Sequence, residues 1–215
     1  MMRIAVSIPV KSNEYALACL DKAERAGADI AELRIDFMTN PDLERLVKYG
    51  RIPRIITNRP TWEGGNYSGE EEIRLEALQR AINLGVDYVD VEFKADHRLY
   101  RRGAKLIVSY HNFDETPENL EEIYDQICAR EPDIVKIATK AQNSYDTLRI
   151  LDLIKNADRP IIGIGMGEEG VSTRILGPVH GAYLTFVSLD DEPKTAPGQL
   201  TISELREAWK KGDVL

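Results

Sequence analysis

Lys136 stands in the run Asp133-Ile134-Val135-Lys136-Ile137-Ala138, with β-branched apolar residues on both sides. Desolvating an ammonium in such a strand favours the neutral amine, which is a nucleophile toward a ketone or aldehyde. The plain alternative is a stem packed among apolar neighbours whose ammonium reaches water at the strand end. His111 lies 25 residues earlier, about one strand-helix repeat away. A histidine beside an imine-forming lysine can take a proton from the carbon next to the iminium and later return it. Arg34, Arg59 and Arg174 offer fork geometry for a carboxylate or phosphate, and their charge would help hold Lys136 neutral. Together these residue types point to Schiff-base chemistry on an anionic carbonyl compound. They leave open whether the iminium serves elimination or carbon-carbon cleavage.

Such side chains need elements that aim them at one space. Short β-rich runs begin near Arg3, Asp29, Ile52, Asp87, Ala104, Asp133, Arg159 and Ala182, with helical runs between them. Three junctions share a pattern, Gly27-Ala28-Asp29-Ile30, Gly85-Val86-Asp87-Tyr88 and Glu131-Pro132-Asp133-Ile134. In each, a helix stop precedes an apolar run suited to a parallel strand buried on both faces. Ser68 with Glu71 and Thr201 with Glu204 have capping-box spacing and predict helix starts there. Eight strands alternating with helices predict a single-domain (β/α)8 barrel over 1–215, with a doubly wound open sheet as the alternative.

In a barrel, residues two apart point to the same side, and chemistry gathers at the carboxyl ends of the strands. Glu32 with Arg34, Thr57 with Arg59, Asp90 with Glu92, Ser109 with His111, and Lys136 fall on such parities. Charges of this kind inside an apolar barrel would cost several kcal/mol each if unmatched, so a charged mouth built for a polar ligand is the simpler account. His97 and His180 lack comparable company and are not expected to take part.

The chain has 215 residues, 43% of them hydrophobic and 30% charged, with a formal net charge of -8. The acidic balance and the absence of a Lys/Arg block argue against a nucleic-acid partner. Cys19 and Cys128 have neither CxxC spacing nor a nearby histidine, so they read as reduced core residues, and no metal or cofactor is expected. The segment from Met1 to Val10 lacks a signal-peptide pattern and no 18-residue apolar run follows, which predicts a cytoplasmic protein without membrane contact.

Six motifs in order resemble the type I 3-dehydroquinate dehydratases, the Schiff-base class of that enzyme. They are Glu32-Leu33-Arg34, Arg59 followed by Glu63-Gly64-Gly65, Ser109-Tyr110-His111-Asn112-Phe113, Val135-Lys136-Ile137-Ala138, Ser172-Thr173-Arg174 and Ala196-Pro197-Gly198-Gln199. The resemblance implies dehydration of 3-dehydroquinate to 3-dehydroshikimate in the shikimate pathway, with Lys136 forming the imine and His111 moving the proton. It implies that Glu63 orients His111, a carboxylate neighbour being expected to raise an imidazole's pKa and fix its tautomer. It also implies that Arg174 and Gln199 clamp the substrate carboxylate, that Glu32, Arg34 and Arg59 contact ring hydroxyls and frame the site, and that the enzyme is a homodimer. Where the family commonly has serine before Ala-Pro-Gly-Gln, this chain has Thr195, which keeps the hydroxyl and adds a methyl.

A class I aldolase would share the strand lysine but would need a phosphate cradle of amides, for which Gly163, Gly165 and Gly167 are the candidates. A barrel that only binds a ligand would need neither an imine-forming lysine nor a proton shuttle.

Overall fold

The β-branched apolar runs pair in parallel throughout the computed structural model, which describes residues 2–96 and 99–212. The strands are β1 (Ile4–Pro9), β2 (Ile30–Arg34), β3 (Arg54–Thr57), β4 (Tyr88–Glu92), β5 (Lys105–Asn112), β6 (Ile134–Lys140), β7 (Ile161–Met166) and β8 (Thr185–Val187). Sequence neighbours pair from β1 through β7, and β8 pairs with β1 in the register Ile4–Thr185, Ala5–Phe186, Val6–Val187. Between β7 and β8, the Tyr183 amide donates to Ile161 O at 2.7 Å. First and last strands side by side make a barrel, and the open-sheet alternative fails on that pairing.

The helices are α1 (Asn13–Arg25), α2 (Leu43–Lys48), α3 (Glu71–Asn83), α4 (Leu120–Cys128), α5 (Ser144–Asn156), α6 (Val171–Leu176) and α7 (Ile202–Lys211). The capping box forms at Thr201 and Glu204 as its spacing predicts. At Ser68 it does not: α3 begins at Glu71, whose carboxylate turns to Arg74 at 2.7 and 2.8 Å. An arginine fork holds a carboxylate more strongly than one backbone amide does, so the helix starts two residues later than predicted, with Glu70 rather than Ser68 at the N-cap. Among the described residues no helix joins β4 to β5, and His97 lies outside them. Cys19 is buried as expected, whereas Cys128, in the last turn of α4, is only half-buried.

Parity sorts the barrel interior into layers. Ile30, Ile55, Ile107, Ile134 and Ile162 form an apolar layer inside the barrel. Two residues further along four of those strands stand Glu32, Thr57, Ser109 and Lys136, all buried. Each lower isoleucine contributes about 2 kcal/mol by leaving water, which anchors the floor beneath the polar layer. Outward-facing residues such as Val6, Leu33, Ile56, Val89, Val108 and Val135 pack in the second core under the helices.

The three similar junctions prove to share a contact. Asp29, Asp87 and Asp133 each accept from a backbone amide at the start of the preceding strand, Ile4 N at 2.8 Å and Arg54 N at 2.9 Å from the first residues of β1 and β3, and Leu106 N at 2.7 Å from the second residue of β5. A carboxylate thereby satisfies an amide at the amino end of a strand that would otherwise lack a partner. The same clasp recurs at β1/β2, β3/β4 and β5/β6.

Candidate active site

Lys136 projects inward from β6 and its side chain is 6% exposed. Its Nζ lies 2.8 Å from Asp90 Oδ2, 3.7 Å from Glu32 Oε1 and 4.6 Å from the centre of the Phe186 ring. The ammonium is therefore held over an aromatic floor between two carboxylates, which excludes the stem-to-solvent arrangement. Glu32 is fixed in turn by Ser7 Oγ at 2.5 Å and Thr57 Oγ1 at 2.8 Å.

Asp90 leads into a chain of alternating charges. Its other oxygen meets Arg59 Nη2 at 2.8 Å, Arg59 Nη1 meets Glu92 Oε1 at 2.6 Å, and Glu92 Oε2 meets Arg74 Nη1 at 2.6 Å. Burial pushes the Asp90 carboxyl up, but Arg59 and Lys136 overcome it and hold the group well below the usual carboxylate range. For Glu92 burial prevails over Arg59 and Arg74, and its value is raised. Arg74 reaches this network from α3, outside the strands, where it shares the buried face with Leu78 and Ala81. The sequence reading passed over it. A charged residue at i with apolar core residues at i+4 and i+7 was the available signal.

His111, at the end of β5, lies on the strand next to Lys136, with Ser109 opposite Lys136 in the register. Glu63 Oε1 accepts from the His111 amide at 2.8 Å and lies 3.2 Å from its Nδ1. Donation from Nδ1 to an ionised Glu63 leaves the lone pair on Nε2, the form of a base. Burial lowers the His111 value well below its ordinary one, and the positive charges of Arg59 and Lys136 lower it further. The carboxylate neighbour was expected to raise it; the desolvation of a buried ring and two nearby cations outweigh that one contact. Burial instead acts on Glu63, pushing it up to about 7 against the pull of Arg59.

The Glu63-Gly64-Gly65 turn has a steric basis. Gly64 takes φ +74°, and a Cβ there would fall 2.3 Å from the Phe113 ring; at Gly65 it would fall 2.0 Å from Arg59 O. Phe113 in turn stacks on His111 with centroids 6.2 Å apart and planes 13° apart. The paired glycines let the Glu63 turn sit against Arg59 and under Phe113.

The three arginines are not equivalent. Arg34 makes a two-point contact to Asp36 at 2.8 Å for each bond, and Arg59 is occupied by Asp90, Glu92 and Ser109. Arg174, on α6, is 2% exposed and, among the described residues, donates only to Phe186 O at 3.4 Å and Pro197 O at 3.3 Å and has a partnerless Nε. Burial alone pulls it down to about 10. Beside it, Thr195 donates from N and Oγ1 to Gln199 Oε1 at 2.7 and 3.1 Å.

One cavity is lined by all of Glu32, Arg34, Arg59, Glu63, His111, Lys136, Arg174, Thr195 and Gln199. Ile164, Met166, Ala138 and Phe186 supply its apolar wall. His180 does not line it. The glycine run makes no phosphate cradle, because the Gly165 amide is taken by Thr173 Oγ1 at 2.8 Å and the Gly167 amide by Pro197 O at 3.4 Å.

A model of the type I 3-dehydroquinase family matches residues 4–212. The 3-dehydroquinate dehydratase of Methanococcus maripaludis strain C5 is 41% identical, over 94% of this chain and 97% of that protein. The chloroplastic bifunctional 3-dehydroquinate dehydratase/shikimate dehydrogenase of Arabidopsis thaliana is 40% identical over 87% of this chain, which spans only 33% of that longer protein. A solved type I 3-dehydroquinate dehydratase from Clostridium difficile, with covalent modified comenic acid, superposes with a TM-score of 0.84 at 30% identity, covering 98% of this chain and 91% of that one.

Proposed function

Since this chain belongs to the type I 3-dehydroquinase family and is a hydro-lyase, we propose that it dehydrates 3-dehydroquinate to 3-dehydroshikimate through an imine on Lys136. The observation that carries the reading is one cavity holding a buried lysine, a histidine of lowered proton affinity and, among its described cations, an Arg174 that no carboxylate pairs. A buried guanidinium without a counterion suits an anionic substrate group, and a carboxylate can take its fork in two hydrogen bonds.

Lys136, once it has shed its proton, adds to the C3 ketone, and loss of water from the carbinolamine gives the iminium. His111 Nε2 removes a C2 proton, whose electron pair is taken up by the iminium to form an enamine. The enamine then expels the C1 hydroxyl, which leaves as water with the proton that His111 carried. Hydrolysis of the conjugated iminium frees the product and Lys136. Glu63 keeps Nδ1 protonated while Nε2 works, Arg174 and Gln199 hold the carboxylate, Glu32 and Arg34 meet ring hydroxyls, and Thr195 closes over them. Arg59 frames the site by holding Asp90 beside Lys136.

Borohydride added with 3-dehydroquinate is expected to leave a stable mass adduct on Lys136. Lys136→Ala should abolish both the adduct and the ultraviolet absorbance of the conjugated enone, and full turnover by that variant would rule the mechanism out. The same reading includes a cytoplasmic homodimer, for which sedimentation equilibrium should give twice the chain mass.

A further inference from the structure

The loop that carries Thr195 and Gln199 has a fastened stem and a lightly held tip. Its base closes where Ser188 bridges Thr201, with Ser188 N on Leu200 O and Ile202 N on Ser188 O, each at 3.0 Å. On one side of the stem, Asp190 accepts from Ser203 N at 3.2 Å and Ser203 Oγ at 2.7 Å. On the other, three residues from one face of α1 reach Glu192. Tyr15 donates to Oε2, Cys19 Sγ lies 3.8 Å from Oε1, and Lys22 Nζ lies 3.0 Å from Oε1 and 2.7 Å from Asp191. Spaced i, i+4 and i+7, they form one stripe along the helix. Burial, and then Glu192 itself, push the Tyr15 hydroxyl up, so it remains a donor.

The tip is held more lightly. Apart from contacts within it and an exposed Lys194–Glu204 pair at 3.3 Å, which contributes little, Pro197 O receives Arg174 at 3.3 Å and Gly167 N at 3.4 Å, both at the long end of hydrogen bonding. Glu192 is three residues from Thr195, so the tether sets where the tip begins.

We propose that Glu192, gripped by Tyr15 and Lys22, is a positioning residue that fixes the height at which Thr195 closes over the substrate and Gln199 meets its carboxylate. None of the three touches the cavity, so the effect passes through the loop and falls on substrate binding. The inference rests on reading the cavity as the dehydratase site.

Tyr15→Phe and Lys22→Met test it, the second at a half-exposed residue whose loss leaves the fold intact. Each should raise KM by about tenfold, the worth of one charge-assisted hydrogen bond, with kcat within about twofold. Each should also speed tryptic cleavage after Lys194, at the loop tip, and saturating 3-dehydroquinate should slow it. Unchanged KM in both variants overturns the proposal, and so does a raised KM without faster cleavage, since the loop is then not the carrier. Absent turnover in the unmutated enzyme would instead defeat the dehydratase reading, which the cleavage rates do not touch.

Discussion

Glu63 and His111 respond to the same burial in opposite directions. Removing water disfavours charge, so the carboxyl is pushed up to about 7 and the imidazole is held well below its ordinary value. A resting neutral imidazole is ready to act as base. In the proposed reaction it takes the C2 proton, and the imidazolium so formed is a strong acid suited to protonating a leaving hydroxyl. The acid limb of kcat/KM then belongs to Glu63, because His111 stays neutral through pH 7. A protonated Glu63 would donate to Nδ1, shift the imidazole hydrogen to Nε2 and remove the lone pair that the reaction needs. The rate should fall as pH drops through about 7, and Glu63→Gln should lower the plateau about 10- to 100-fold while moving the limb to lower pH. A limb that remains near 7 in that variant would assign it to another group. Parity in the sequence was enough to place Lys136, His111 and the carboxylates at one mouth, because strand alternation is local geometry. It could not divide the arginines, since whether Arg34 and Arg59 are occupied depends on Asp36 and on strand neighbours far along the chain.

At the scale of elements, the strands were legible because burial on both faces demands β-branched runs, and each observed strand begins within about three residues of its predicted start. The helix start at Ser68 was not, because Glu71 had a better partner in Arg74 than in the backbone. That same Arg74 extends the charge network from α3 to Lys136. Replacing it by methionine leaves Glu92 buried with one oxygen unpaired, and loss of one partner of a buried pair costs about 3–5 kcal/mol. Arg74→Met should therefore lower the urea midpoint sharply, and adding Glu92→Gln should recover much of the loss by removing the stranded charge. If the double variant is as unstable as the sum of the two singles, Arg74 and Glu92 do not act as a pair. The aspartate clasps show the same limit of sequence reading. The junction pattern of helix stop, aspartate and apolar run was visible, but the amide that each carboxylate meets belongs to the previous strand.

For the whole molecule, activity and stability should respond to pH in different windows. Glu63, with a folded value above the unfolded one of 4.5, favours the fold below about pH 4.5, and that contribution is lost as pH rises toward 7. His111, with a folded value below 6.5, does the reverse: its contribution is present above 6.5 and is lost as pH falls. The two oppose each other where their windows overlap, so the fold should persist while Glu63 protonation removes activity. Asp90 has no such counterweight. Its folded value is depressed beneath the unfolded 3.8, so its contribution is complete above that value and is lost as pH falls below it, when Arg59 and Lys136 lose their shared carboxylate inside the barrel. Urea midpoints measured from pH 8 to pH 2 should thus change little down to about pH 4 and then fall steeply. Asp90→Asn should start from a lower midpoint, because two cations lose their partner, yet show a shallower acid slope. An acid slope as steep in Asp90→Asn as in the unmutated chain would place the acid sensitivity of the barrel in other carboxylates.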